Sequence, residues 1–153
     1  MVNRAGAGSG TVTTPANEIS CGSHCVASFD VDTTLALNLS ATPQADSLFV
    51  GWSGACSGTG TCSLSITQTT IVTANFALKT YTIALSADPT AGGVVSGGGT
   101  FSHGESVTAL ATVNEGYLFT GWSENGSPVS SEASYTFTAT SDRNLVANFS
   151  LKQ

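Results

Sequence analysis

The sequence has few charged residues. Only 9% of its 153 residues are charged, and the four cations, Arg4, Lys79, Arg143 and Lys152, stand against ten acidic residues. An average domain has roughly 25% charged residues. The net charge of −6 leaves no basic patch to neutralise phosphates or anionic lipid headgroups. We therefore expect no binding to nucleic acid or to membrane surfaces.

Long apolar runs are also missing. No run approaches the roughly 20 residues that cross a bilayer, so we expect no membrane insertion. The opening Met-Val-Asn-Arg does not lead into the apolar core of a signal peptide, and we interpret the chain as a mature fragment. Ser, Thr, Asn and Gly take the place of charged residues, and they suit strands and turns. The composition predicts an all-β protein, or a β-rich one with at most a short helix.

Cysteine is absent from the second half of the chain. All four cysteines, Cys21, Cys25, Cys56 and Cys62, lie in the first half. They allow three connectivities, and in an acidic chain rich in Ser and Thr they indicate disulfides formed in an oxidising compartment. Pairing of Cys21 with Cys25 and of Cys56 with Cys62 is favoured. A zinc site that combines cysteine thiolates with His24 is the alternative.

What the chain does contain is a duplication. Leu-Phe-Val-Gly-Trp-Ser at 48–53 recurs as Leu-Phe-Thr-Gly-Trp-Ser at 118–123, and Val-Thr-Ala-Asn-Phe at 72–76 recurs as Leu-Val-Ala-Asn-Phe at 145–149. A unit of about 70 residues exceeds the length of stacked solenoid repeats, so each copy should have its own core. We predict two tandem small β modules, residues 1–78 and 79–153. An insertion in the first copy contains Cys21 and Cys25.

Apolar residues at every second position predict strands with one buried face, as in Tyr81, Ile83 and Leu85. Large aromatic residues at matched positions are expected to fill the core of each module. They are Phe49, Trp52 and Phe76 in the first copy and Phe119, Trp122 and Phe149 in the second. Stacking of the two tryptophans on sugar rings is the alternative. The same alignment places Cys62 where the second copy has Tyr135, so a bridge to Cys56 would replace an aromatic plug.

The series Gly-Tyr-Leu-Phe-Thr-Gly-Trp-Ser at 116–123, followed by Leu-Val-Ala-Asn-Phe at 145–149, resembles the divergent internalin-type B-repeat modules of bacterial surface and secreted proteins. Both copies match, so the resemblance covers nearly the whole chain. The first copy is similar to a disulfide-bearing branch of that family. The resemblance implies compact, mostly β modules, with a β-grasp-like arrangement as one form. Such modules are generally non-enzymatic and occur in strings on adhesins and beside secreted glycan- or peptide-cleaving domains.

The two copies differ at their start. The second opens with Lys79-Thr80-Tyr81-Thr82-Ile83-Ala84-Leu85, whereas the first begins, with Val2, at the equivalent of Leu85. We predict that the first copy lacks most of its opening strand. An absent edge strand exposes backbone groups that can accept a strand from another chain. A strand-exchange homodimer is therefore expected.

Acidic and amide residues offer further candidate sites. Asp30 and Asp32 form an Asp-x-Asp pattern suited to calcium. The same two residues, or Glu105 with Glu115, are candidate acid–base pairs for glycoside hydrolysis. Isolated acidic residues in turns are more often simply solvated, which is our expectation for all four. The duplicated Asn148, matched by Asn75, is predicted to cap backbone groups or to end a strand.

The sequence contains no recognisable catalytic motif. His24 and His103 have no nucleophilic partner in a known arrangement, and we expect no enzyme activity, no cofactor and no metal. The function that we expect is that of a non-catalytic extracellular repeat segment, acting as a spacer or adhesion module at the cell surface or in a secreted protein. Its expected partners are extracellular proteins or polysaccharides. The alternative is a carbohydrate-binding accessory module with loop aromatics such as Phe29, Phe101 or Tyr117 as the platform.

Overall fold

The computed structural model describes residues 1–22, 25–30 and 35–153. Within these residues the chain is all-β, as expected, with fifteen strands and one 3-10 turn at Thr90–Gly92. The strands belong to two compact units, Met1–Lys79 and Thr80–Gln153, which we call module 1 and module 2.

Module 1 contains seven strands in two sheets. The strands are β1 (Val2–Ala5), β2 (Gly10–Thr13), β3 (Ser20–Cys21), β4 (Leu35–Pro43), β5 (Ser47–Gly54), β6 (Cys62–Ile66) and β7 (Val72–Leu78). One sheet has the order β1-β7-β5 and the other the order β3-β2-β4-β6. The pair formed by β1 and β7 is parallel, and the other pairs are antiparallel.

Module 2 repeats this plan with eight strands. The strands are β8 (Thr80–Asp88), β9 (Gly93–Ser96), β10 (Gly99–Ser102), β11 (Ser106–Val113), β12 (Tyr117–Glu124), β13 (Ser127–Ser130), β14 (Ser134–Thr138) and β15 (Arg143–Leu151). The larger sheet has the order β10-β8-β15-β12-β13 and the smaller the order β14-β11-β9. Here β8 and β15 form the parallel pair.

The core of each module lies between its two sheets. In module 2, Ala109 and Ala111 from the smaller sheet pack with Trp122, Leu145 and Ala147 from the larger one. The strands have one buried face because apolar and polar residues alternate along them, as in the pattern of β11. Module 1 has a corresponding core, with disulfide-bonded Cys21 and Cys62 among its buried residues.

The strand registers of the two modules match. Phe49 lies opposite Phe76 as Phe119 lies opposite Phe149, and Val2 lies opposite Val72 as Leu85 lies opposite Leu145. The strand β1 has four residues, however, whereas β8 has nine. In module 1, the opening strand therefore corresponds only to the second half of β8.

Candidate functional site

The Gly-Trp and Asn-Phe motifs meet across one antiparallel strand pair in each module. The register skips one residue between Phe49 and Gly51, and again between Phe119 and Gly121, so each pair contains a β-bulge. A β-bulge leaves its extra residue out of the regular ladder and disturbs the hydrogen bonds around it, so carbonyl groups there need another hydrogen-bond donor. We call this arrangement the bulge clamp.

The duplicated asparagine supplies that donor. Nδ2 of Asn75 donates to the carbonyl of Gly51 at 2.9 Å and to Oγ of Ser53 at 3.1 Å. In module 2, Nδ2 of Asn148 donates to the carbonyl of Gly121 at 3.1 Å and to the equivalent serine hydroxyl at 2.8 Å. The prediction that this asparagine binds backbone groups is confirmed, but it lies within β7 and β15 and not at a strand end.

Glycine is required at the bulge for two reasons. Gly51 has a φ of 145° and Gly121 a φ of 141°, values at which other residues are strained. A Cβ atom on Gly121 would also lie 2.9 Å from the carbonyl oxygen of Ser130, and one on Gly51 would lie 3.0 Å from that of Gly58. The glycine of the Gly-Trp motif is thus explained by backbone geometry.

The tryptophan that follows each glycine is buried. Trp52 is 5% exposed and Trp122 is fully buried. Each indole Nε1 donates to a backbone carbonyl, that of Gly60 at 2.7 Å in module 1 and that of Ala133 at 3.3 Å in module 2. With its faces covered and its one donor used, neither ring can stack on a sugar. Both tryptophans are core residues in this structure.

The phenylalanines complete an aromatic cluster around each tryptophan. In module 1, the Phe49 ring centroid lies 5.1 Å from that of Trp52 and 5.6 Å from that of Phe76. In module 2, the Phe119 centroid lies 6.1 Å from that of Trp122 and 5.7 Å from that of Phe149. Phe49 and Phe119 are partly buried, while Phe76 and Phe149 are buried.

Both cysteine pairs of module 1 form local disulfides, Cys21–Cys25 and Cys56–Cys62. Because all four sulfur atoms are engaged in these bonds, the zinc alternative is wrong for the cysteines. Cys62 lies opposite Leu39 as Tyr135 lies opposite Ala109. The Cys56–Cys62 bridge therefore lies at the position that Tyr135 occupies in module 2, as the duplication predicted.

Two successive parts of the chain, residues 1–80 and 83–153, match the family model described as "Divergent InlB B-repeat domain". The chain belongs to the divergent InlB B-repeat family. The resemblance seen in the Gly-Trp and Asn-Phe motifs is thereby confirmed for both modules. The comparisons with curated proteins and with solved structures returned no match.

In the second B-repeat, a charged cluster lies at the position that the Cys56–Cys62 bridge occupies in the first. Arg143 forms an ion pair with Glu124 at 2.7 Å, donates to the hydroxyl of Tyr135 and lies 4.4 Å from the ring centroid of Phe137. Its hydrogen bonds, that to Glu124 above all, raise the pKa of Arg143. Those bonds hold the pKa of the Glu124 carboxyl below its ordinary value of 4.5. By the spacing of the duplicated motifs, the first B-repeat has Thr70 and Gly54 where the second has Arg143 and Glu124.

The first B-repeat contains an apolar cavity of about 340 Å³ at the start of β1. Leu37, Leu39, Leu64 and Ile66 are among the residues that line it. The segments 26–29 and 68–70 also line it. We call this cavity the apolar slot.

The acidic candidates do not come together. Glu105 and Glu115 lie in the turns at opposite ends of β11, and an eight-residue strand separates them by roughly 30 Å. An acid–base pair for glycoside hydrolysis needs its carboxyl groups within about 10 Å, so that candidate pair is wrong. His103 faces the hydroxyl of Tyr81 at 3.3 Å.

The candidate calcium pair and the histidine of the zinc alternative fall partly outside the described residues. Asp32 and His24 are not among them, so neither site can be built. Within residues 1–22, 25–30 and 35–153, no group of three or more His, Cys, Asp and Glu side chains is placed to hold a metal ion. In the same residues, no helix is long and apolar enough to span a membrane.

The aromatic residues suggested as a sugar platform are partly buried. The sequence predicted that Phe101 and Tyr117 lie in loops. This prediction is wrong, because Phe101 lies on β10 and Tyr117 on β12. Phe29 lines the apolar slot. In the described part of the chain, the strongly exposed large hydrophobic residues are aliphatic: Met1, Val26, Leu48, Val50, Ile71, Val94, Leu110, Val113, Leu118 and Leu151.

Proposed function

We propose that the two B-repeats form a non-catalytic extracellular segment that acts as a spacer and protein-adhesion module of a bacterial surface or secreted protein. The observation that carries this proposal is the use of the repeated motif. Its glycine, tryptophan, asparagine and phenylalanine all act within the fold, in the bulge clamp and the aromatic core. The duplicated residues therefore stabilise each module, and a spacer needs stable modules.

The extracellular location is supported by two features. The first module has two disulfides, and such bonds persist in oxidising compartments and not in the reducing cytosol. The family is one of bacterial surface repeats.

Protein is the class of partner that fits the exposed side chains. Leu48 and Val50 are 51% and 57% exposed on β5, and Leu118 is 51% exposed at the matching position of β12. Exposed aliphatic side chains of this kind suit contact with apolar protein surfaces, whereas the strongly exposed large hydrophobic residues of the described part include no aromatic ring that could stack on a sugar. We infer that adhesion, where this segment performs it, involves protein surfaces.

A display experiment tests the spacer role. An epitope placed before Met1 is anchored to a bacterial surface through the full chain or through a Gly/Ser linker of equal length, and antibody binding is measured before and after brief treatment with a broad-specificity protease. Each folded module exposes little backbone to the protease, while a flexible linker of this kind behaves as a coil. We expect the epitope to survive the treatment with the chain and to be lost with the linker. Equal loss from both would contradict the proposal.

Binding to insoluble polysaccharides tests the alternative. Pull-down on cellulose, chitin and peptidoglycan, combined with tryptophan fluorescence, should leave the chain in the supernatant and the emission unchanged, because Trp52 and Trp122 are buried. Saturable retention on one polymer would instead favour the carbohydrate-binding function.

A further inference from the structure

The loop that the Cys56–Cys62 bridge closes covers the indole of Trp52. The amide of Trp52 donates to the carbonyl of Gly58 at 2.8 Å, and its Nε1 donates to that of Gly60 at 2.7 Å. Both acceptors lie between the two bridged cysteines. With this cover in place, Trp52 is 5% exposed. The burial of the indole therefore depends in part on where the bridge holds the loop.

Module 2 covers its tryptophan with a strand instead of a bridged loop. Trp122 and the two residues after it pair with β13, and Ser130 lies opposite Trp122. In module 1, Gly58 faces Trp52 in an isolated β-bridge, and none of residues 55–61, all of which the structure describes, belongs to a strand. Module 1 thus has a disulfide where module 2 has a strand ladder.

The loop is exposed and rich in glycine. Ala55 and residues 57–61 are exposed, and a Cβ atom on Gly58 or Gly60 would meet nothing within 4 Å. At its start, the amide of Ala55 donates to the carbonyl of Ile71 at 3.1 Å. Glycine has more backbone freedom to lose than any other residue, and a disulfide limits that freedom. A loop of this composition should become mobile once the bridge opens.

The bridge can be reached from solvent at one of its two cysteines. Cys56 is partly exposed, whereas Cys62 is 2% exposed. A thiolate that attacks the sulfur of Cys56 forms a mixed disulfide with it, and Cys62 leaves as a thiolate that takes up a proton. The second thiol of a dithiol reductant then attacks the mixed disulfide and releases Cys56. Two electrons pass to the bridge, which becomes two thiols, and the dithiol is oxidised to a disulfide.

We propose that the Cys56–Cys62 bridge is a redox-sensitive switch: its reduction by a dithiol frees residues 55–61 from Trp52 and uncovers the indole, while the two sheets of module 1 stay folded. The sheets remain because β5 pairs with β7, and β6 with β4, through residues outside the loop. This response goes beyond the spacer function and does not depend on it.

The test reduces the full chain with excess dithiothreitol in a Trp122→Phe background, which leaves Trp52 as the single tryptophan. We expect its emission to move to longer wavelength and its quenching by acrylamide to rise severalfold, and reoxidation to reverse both changes. Nitrogen-15 spectra should show the amide signals of β4 and β7 still dispersed as in a folded sheet. In the converse Trp52→Phe background, the emission of Trp122 should not change, because module 2 has no cysteine.

Two double variants assign the response to one bridge. Cys21→Ala combined with Cys25→Ala should keep the full response of Trp52. Cys56→Ala combined with Cys62→Ala should show the exposed indole before reductant is added, and no further change with it. A response that the first variant lacks would belong to the other bridge and overturn the proposal. Alkylation and mass spectrometry identify the reduced cysteines in the parent chain, which keeps the test decisive where a variant does not fold.

Three further results would overturn the proposal. One is a Cys56–Cys62 bridge that resists dithiothreitol in the folded chain. Another is unchanged quenching of Trp52 in a chain whose bridge alkylation shows to be reduced. The third is loss of the β4 and β7 signals together with exposure of the indole, because the bridge would then support the whole module and not only the loop over Trp52.

Discussion

At the scale of single residues, the motif that defines each copy is explained by one backbone irregularity. The register skips a residue at the β-bulge, glycine permits the bulged conformation, and asparagine from the neighbouring strand donates to the carbonyl of that glycine. A buried acceptor without a donor costs about 1–3 kcal/mol. The residues that look like a binding motif in the sequence therefore have a structural role.

Replacement of the clamp asparagine should destabilise one module only. We expect Asn148→Ala to lower the free energy of unfolding of module 2 by about 1–2 kcal/mol, because the Gly121 carbonyl loses its donor. Urea unfolding followed by Trp122 fluorescence in a Trp52→Phe background measures the change. Asn144→Ala, an exposed replacement on the same strand, is the control and should have little effect. Equal losses for both variants would contradict the role of the clamp.

The ion pair of module 2 predicts a pH dependence. The lowered pKa of Glu124 in the folded state means that its stabilising contribution is complete above the unfolded value of about 4.5 and is lost as pH falls through the folded value. The pair is partly exposed, so Glu124→Gln should cost less than about 1 kcal/mol at pH 7, and this cost should shrink as pH falls further below about 4.5. Urea unfolding at pH 7 and at several lower pH values checks this. The exposed replacement Glu132→Gln should show no such convergence, and a pH-independent loss for Glu124→Gln would refute the prediction.

At the scale of elements, the two modules have different groups at one equivalent position of the fold. Module 1 has the Cys56–Cys62 bridge and module 2 has Tyr135 with Arg143 and Phe137 beside it. Because β6 and β14 pair with their neighbours in matching registers, the bridge and Tyr135 lie at equivalent positions. The alternation of apolar residues was sufficient to predict the strands. Phe101 and Tyr117 were assigned to loops because adjacent glycine and asparagine residues indicate turns. That assignment failed because pairing with distant strands decides where each strand begins.

Removal of the bridge should affect module 1 alone. In the chain-entropy model, a loop as short as that between Cys56 and Cys62 contributes about 2 kcal/mol. We expect Cys56→Ala combined with Cys62→Ala to lower the unfolding free energy of module 1 by that amount or more, since Cys62 is also buried. Trp52 fluorescence in a Trp122→Phe background reports module 1. The converse background reports module 2, whose stability should not change; a matching loss there would contradict the division into separate units.

At the scale of the whole molecule, charge limits the partners. With a net charge of −6 and four cationic side chains, the chain should pass unretained through a heparin column at about 50 mM salt, where basic proteins that contact phosphates bind tightly. Retention of the same sample on an anion exchanger is the positive control. Elution from heparin that needs higher salt would reveal a basic surface and contradict the expectation of no nucleic-acid binding.

The sequence by itself determined the all-β class and the duplication, and it favoured the local pairing of the cysteines, because these depend on residues that are close in the chain or on periods of two and about 70 residues. Only the tertiary structure decided that Trp52 and Trp122 are buried, that Asn75 and Asn148 hold a bulge, and that Leu37 and Ile66 line an apolar slot. These features depend on which distant strands pair and in which register. The acid–base pair of Glu105 and Glu115 failed for the same reason, since one strand holds the two residues apart.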